Sequence, residues 1–161
     1  MISVRRLRVG EGELFKRMRL TSLRESPSAF SSTYESALRR TPESWSEQAD
    51  KSAEGPDRAT FLLFSDDEPV GIAALYRDVK VLDMGEVIQV WVSPEVRGTG
   101  AAEILMEAVF SWAREQGFRR ILAGINHGNV RALRFYQRLG FKLEHETKED
   151  GTGSFLVKDV G

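Results

Sequence analysis

Val87-Ile88-Gln89-Val90-Trp91-Val92-Ser93-Pro94-Glu95-Val96-Arg97-Gly98-Thr99-Gly100-Ala101-Ala102 is the stretch on which the fold turns. Val87 to Val92 is apolar at nearly every position, the pattern of a central strand covered on both faces. Ser93-Pro94 ends that strand. A short loop follows, and Gly98 and Gly100 open a helix with an expected stripe of Ala101, Ile104, Leu105, Ala108 and Trp112, stopped near Gly117. Glycine accepts backbone torsions that strain other residues and lets a ligand approach the main chain. The N–H groups of a helix's first turn, with the helix dipole, attract an anion. A diphosphate suits such a turn, and Arg97 adds one formal charge at its rim. A plain strand-to-helix connection, its glycines serving only geometry, explains the isolated motif equally well.

Two nucleotide-binding patterns fail here. A P-loop needs Gly-Lys followed by Ser or Thr, and Gly100 is followed by Ala101. A dinucleotide fingerprint needs Gly or Ala where Glu103 stands, and an acid ending the next strand, which closes Gly124-Ile125-Asn126.

Outward from the glycine turn, Arg120 to Ile125 reads as a strand, Asn129 to Leu139 as a helix, and Phe141 onward as one or two strands. Upstream, Ala59–Phe64 and Val70–Tyr76 form a hairpin across an acidic turn. Residues 2–8 suggest a first strand, and Leu14, Phe15, Met18 and Leu23 set a helix over 11–25. Ser26 to Tyr34 reads as a loop, and Thr41-Pro42 as an N-cap with proline at the first helical position. Lys51 to Asp57 is a polar connector. Helices and a hairpin followed by strand–helix–strand–helix–strand predict an α/β fold, a mixed sheet with helices on both faces.

Composition bounds the function. The 161 residues fit one domain, expected to span 1–161. Lys plus Arg number 23 against 24 Asp plus Glu, a net charge of -1, which disfavours a nucleic-acid or membrane-surface binder. With no cysteine there is no disulfide, thiolate metal site or cysteine nucleophile, and two histidines make a multi-histidine zinc site implausible. The opening residues lead to Glu11-Gly12-Glu13 rather than an apolar signal core, and no apolar run reaches the ~18 residues of a membrane span. A cytoplasmic protein is expected.

Two motifs together resemble those of the GCN5-related N-acetyltransferases (GNAT). Arg97-Gly98-Thr99-Gly100-Ala101-Ala102 fits that family's Arg/Gln-x-x-Gly-x-Gly/Ala signature. Asn129-Val-Arg-Ala132-Leu-Arg-Phe-Tyr136-Gln-Arg-Leu-Gly140-Phe141 fits Asn-x-x-Ala-x-x-x-Tyr-x-x-x-Gly-Phe. The likeness is close over residues 86–141 and looser over 1–85, where Arg19 to Leu23 and Ser26 to Phe30 look like the first helices of many small bacterial members. Ala101 departs slightly, a larger aliphatic residue being common there. The resemblance implies a mixed, mostly antiparallel sheet of six to seven strands, and acetyl-CoA as acyl donor without a metal.

By that resemblance, the main chain of Val90, Trp91 and Val92 pairs with the pantetheine arm as an added strand would. Arg97, Gly98, Thr99, Gly100, Ala101 and Ala102 receive the diphosphate. Asn129, Ala132 and Tyr136 share one helix face at i, i+3 and i+7, where Ala132 leaves room for a ligand. Tyr136 resembles the tyrosine that protonates the departing thiolate, and it equally fits a packing tyrosine. A phenol of pKa ~10 keeps its proton at neutral pH and can donate to a thiolate whose conjugate acid lies near ~8.5. Asn129 also suits the helix N-cap, a role compatible with touching the cofactor. Glu86, at the start of the central strand, resembles the base of some family branches; a solvated acid at a strand end is the alternative.

His127 and His145 read as surface histidines, and Glu144 to Asp150 as a solvated turn. Phe30, Tyr34 and Trp45 are acceptor-site liners or core anchors. The expected chemistry is direct attack of a primary amine, on a small molecule or a protein or peptide, within a ternary complex and with sequential kinetics. A backbone N–H near Val90 would meet the developing oxyanion. A non-catalytic acyl-CoA-sensing module, and transfer of a longer acyl group unless Trp91 and Phe135 close the pocket, are the rival readings. No nucleic acid or membrane partner is expected, although Arg131, Arg134 and Arg138 make one helix face basic; the protein is expected as a monomer or homodimer.

Overall fold

A computed structural model of the chain describes residues 1–27, 30, 32–147 and 153–161, with the backbone alone at 145–147. Of the turn expected at Glu144–Asp150, Glu144 to Thr147 instead run on as extended strand, and only residues 148–150 lie outside the described residues, as do the His145 side chain and Ser28, Ala29 and Ser31 of the expected loop.

Among the described residues, seven strands and five helices follow one another as β1 (Ile2–Arg6), α1 (Gly12–Glu25), α2 (Tyr34–Leu38), α3 (Pro42–Ala53), β2 (Arg58–Ser65), β3 (Glu68–Arg77), β4 (Met84–Val92), α4 (Ala101–Glu115), β5 (Arg120–Asn126), α5 (Val130–Arg138), β6 (Lys142–Thr147) and β7 (Gly153–Asp159). The strands form one sheet in the order β1-β2-β3-β4-β5-β7-β6. β1/β2, β5/β7 and β6/β7 are antiparallel and β4/β5 is parallel. The expected mixed, mostly antiparallel sheet is present. By contact density the chain divides into two compact units, Met1–Ala74 with Gln89–Val109, and Leu75–Ile88 with Phe110–Gly161.

In the first unit the amphipathic face of α1 buries Phe15, Met18 and Leu23 against Trp45 and Ala49 of α3, Leu62 of β2, Ile72 of β3 and Trp91 of β4. Phe15 meets Trp45 edge-on, with ring centroids 5.6 Å apart, and the Arg40 guanidinium lies 3.8 Å from the Trp45 ring centroid. Thr41 caps α3 by accepting the Ser44 N–H at 3.1 Å, with Pro42 opening the helix as its sequence predicts. Trp45 is thereby a core residue, 1% exposed.

In the second unit aromatic side chains pack in pairs beside buried Leu75, Ile121 and Leu156. Phe110 and Phe141 lie 6.0 Å apart and Trp112 and Phe118 5.6 Å apart. β4 pairs with β5 over Met84–Val87 against Arg120–Ala123. Gly85 makes a close approach possible there: a Cβ would stand 2.9 Å from the Tyr76 carbonyl oxygen.

Two sequence expectations need correction. β4 is central but not covered on both faces: Gly85, Val87 and Trp91 are buried, while Glu86, Ile88, Gln89, Val90 and Val92 are half-buried. In α4 the buried stripe is Ala101, Leu105, Met106, Val109, Phe110 and Ala113 with Trp112, whereas Ile104 is 50% exposed. The helix is apolar around much of its circumference, so periodicity alone did not select the right face.

Candidate functional site

The glycine turn belongs to the first unit. A single 3-10 turn, Pro94–Val96, separates β4 from the glycines. Gly98 and Gly100 have φ of +78° and +87°, and among the described residues a Cβ on either would meet nothing within 4 Å beyond its own chain neighbours. Both glycines therefore hold torsions that other residues resist, beside open space. Between them the Thr99 hydroxyl donates to the Val96 carbonyl at 2.5 Å, and the Ala101 N–H leans on that hydroxyl at 3.4 Å. The first helical hydrogen bond of α4 runs from Ile104 N–H to Gly100 O at 3.2 Å. A helix start of this kind directs N–H dipoles outward.

Arg97 is engaged rather than free. Its Nη2 reaches Oε2 of Glu25 at 2.9 Å, its Nη1 reaches Oε1 at 3.4 Å, and its Nε donates to the Val92 carbonyl at 3.1 Å. The Trp91 indole N–H donates to the same Glu25 carboxylate at 2.6 Å, and the Ser26 hydroxyl donates to it as well. Desolvation works to raise the pKa of this carboxyl, but hydrogen bonds from Ser26, Trp91 and Arg97 and the Arg97 charge hold it down, at about 2. The expected free charge at the rim is thus largely neutralised within the chain.

Val90, Trp91 and Val92 stand at the end of β4, with Trp91 buried and its neighbours half-buried. Two residues after the last β4/β5 pair, Gln89 takes a φ of +58° inside the strand, an interruption of regular strand geometry. Its Oε1 is buried with no hydrogen-bond partner among the described residues.

The second unit carries the other candidates. The Asn129 side chain accepts the Ala132 N–H at 3.1 Å and so caps α5, as its position predicts. Seven residues on, Tyr136 is buried, with ring centroids 5.3 Å from Phe135 and 5.1 Å from Phe141. Burial, and then the negative charge of half-buried Glu86, raise the Tyr136 phenol well above its ordinary pKa. Glu86 and Tyr136, 50 positions apart in the chain, therefore act on one another electrostatically. His127 is exposed in the loop before α5, and no cluster of metal-ligating side chains occurs among the described residues.

Of the possible acceptor liners, Phe30 and Tyr34 are partly buried against the first unit's core, beneath the guanidinium groups of Arg19 and Arg24. Glu25 and Gln89 are the residues that sequence reasoning missed. Glu25 meets partners 66 and 72 positions away, and Gln89 carries no glycine or asparagine signal for its torsion.

A strand, a double-glycine turn and a helix start, with a tyrosine-bearing helix after the next strand, thus follow one another in an α/β protein. The chain belongs to the Acetyltransferase (GNAT) family, whose pattern matches residues 22–141. It is 39% identical over 103 residues to an uncharacterised N-acetyltransferase of Mycobacterium bovis, covering 63% of this chain and 60% of that relative's length. It is 26% identical over 153 residues to the peptidyl-lysine N-acetyltransferase YjaB of Escherichia coli, covering 95% of this chain and 90% of the relative. Among solved structures, the PaiA N-acetyltransferase of Thermoplasma acidophilum in complex with coenzyme A superposes with a TM-score of 0.73 at 17% identity, over 99% of each chain. That likeness shows the fold. No described helix is long and apolar enough to cross a membrane.

Proposed function

We propose that the protein transfers an acetyl group from acetyl-CoA to a primary amine by direct attack. The observation that carries this reading is the pair of positive-φ glycines facing open space at the start of α4. Membership of the acetyltransferase family supports it, as do the CoA bound by the Thermoplasma neighbour and the lysine acceptor in the name of the E. coli relative. Main-chain N–H groups of Gly98 to Ala102 would take the diphosphate. The main chain of Val90 to Val92 would hold the amide-bearing arm, and the unpartnered Gln89 Oε1 suits an amide N–H donor. Asn129, a position of the family's second motif, would also contact the donor.

Acetyl-CoA supplies the activated carbonyl and a thiolate leaving group. The chain's residues move the protons. Glu86, directly or through a water, accepts a proton from the attacking amine, and Tyr136 gives one to the sulfur as the carbon–sulfur bond breaks. Solvent then returns a proton from Glu86 to Tyr136, leaving an amide and a free thiol. The raised pKa keeps the phenol protonated throughout the neutral range, so it arrives as a donor. A backbone N–H near Val90 offsets charge developing on the carbonyl oxygen. The acceptor is a small amine or a lysine-like peptide amine.

Initial rates with acetyl-CoA and a panel of polyamines, amino acids and lysine peptides, read by free-thiol release, test the proposal. Intersecting double-reciprocal lines are the expected result. Parallel lines, the mark of a covalent acetyl-enzyme, would overturn direct transfer.

A further inference from the structure

We propose that Glu25 is the positioning residue of the donor-binding turn: by taking both the Arg97 guanidinium and the Trp91 indole, it fixes the connection between β4 and the glycines. The inference rests on the reading of that turn as the diphosphate site. Glu25 is the last residue of α1, and its two oxygens engage three side chains. Trp91 is 6% exposed and packs in the first unit's core, so its indole N–H is a fixed anchor for the carboxylate. The carboxylate in turn fixes Arg97, whose Nε–H donates to the Val92 carbonyl. Arg97 immediately precedes Gly98. The guanidinium thus ties the end of α1 to the end of β4 one residue before the backbone enters its first positive φ.

This arrangement changes what a ligand meets. With Arg97 and Glu25 side chains 25% and 31% exposed, the pair is partly shielded from water. A phosphate at the turn faces N–H dipoles and a near-neutral ion pair instead of an isolated cation. A cationic acceptor seeking Glu25 would first have to displace Arg97 and Trp91. The carboxylate therefore acts through Arg97, shaping the turn rather than touching substrate.

The test is a double-mutant cycle. CoA and pantetheine, which lacks the diphosphate, are titrated into wild type, Glu25→Gln, Arg97→Gln and the double variant. Glu25→Gln keeps the side chain's shape and an acceptor oxygen, so the fold is preserved. The expected result is a loss of CoA affinity of about 10-fold in each single variant and about the same in the double, because the two residues act as one unit. Pantetheine affinity stays unchanged, and the Trp91 indole N–H resonance shifts in Glu25→Gln. Additive losses, equal losses for pantetheine, or unchanged CoA affinity would overturn the inference. So would a rise confined to the acceptor KM, which would make Glu25 an acceptor ligand. If wild type bound pantetheine but gained nothing from the diphosphate of CoA, the donor-site reading would fall first and this inference with it.

Discussion

Replacing Gly98 separates two accounts of the glycine turn. Its φ of +78° costs an alanine roughly 1–2 kcal/mol, because the left-handed region crowds Cβ against the backbone. Beyond the adjacent residues, no atom of the described residues lies within 4 Å of the added Cβ, so no tertiary clash adds to that cost. In a chain of this size each kcal/mol lowers Tm by about 2–4 °C, so Gly98→Ala should melt roughly 2–8 °C below wild type. Asparagine visits the left-handed region readily, and Gly98→Asn should recover most of that loss. Both variants nevertheless place a Cβ in the open space before the turn. If the diphosphate lies there, CoA affinity falls about 10-fold or more in both, whatever the Tm, and pantetheine binding is spared. Circular-dichroism melting beside calorimetric titration reads the two quantities. Recovery of CoA affinity in Gly98→Asn, in step with Tm, would refute the reasoning and leave the glycine a geometric role only.

Tyr136→Phe should lower kcat by roughly 10-fold or more while leaving acetyl-CoA binding nearly intact, a split read from steady-state rates and a binding titration. The Glu25 carboxyl sits at about 2 in the folded protein against an ordinary 4.5, so its stabilisation is present above pH 4.5 and is lost as pH falls toward 2. Urea unfolding should accordingly show wild type more stable than Glu25→Gln by on the order of 1–2 kcal/mol at neutral pH, after allowing for solvent screening, with the gap closing across that acid window. Gly85→Ala would press a Cβ to 2.6 Å from Phe118 Cε1 and 2.9 Å from the Tyr76 carbonyl oxygen. It should cost about 1–3 kcal/mol in the same assay, and unchanged stability would contradict the close packing there.

The second half of the chain could be read from its sequence because its signals are local. Asn129 caps α5 by accepting the N–H of Ala132 three residues on, and the glycines of the turn announce their own torsions. The short helix α2 escaped notice because five residues are too few for periodicity, although Thr33 and Ser36 form a capping box at its start. The buried face of α4 was misread at Ile104 because apolar residues occupy more than one stripe. Arg97 could be recognised as a motif position, but not its partner. Which acid neutralises it is decided by how the end of α1 packs against β4, a contact between residues 72 positions apart that no spacing rule encodes.

On the proposed function, the turn from Arg97 to Ala102 receives the diphosphate of an acyl-CoA. Calorimetric titration of the purified protein with acetyl-CoA, with desulfo-CoA and NAD alongside, tests it most directly. Micromolar binding of both CoA ligands and none of NAD is the expected result. Failure of acetyl-CoA to bind at millimolar concentration would contradict it.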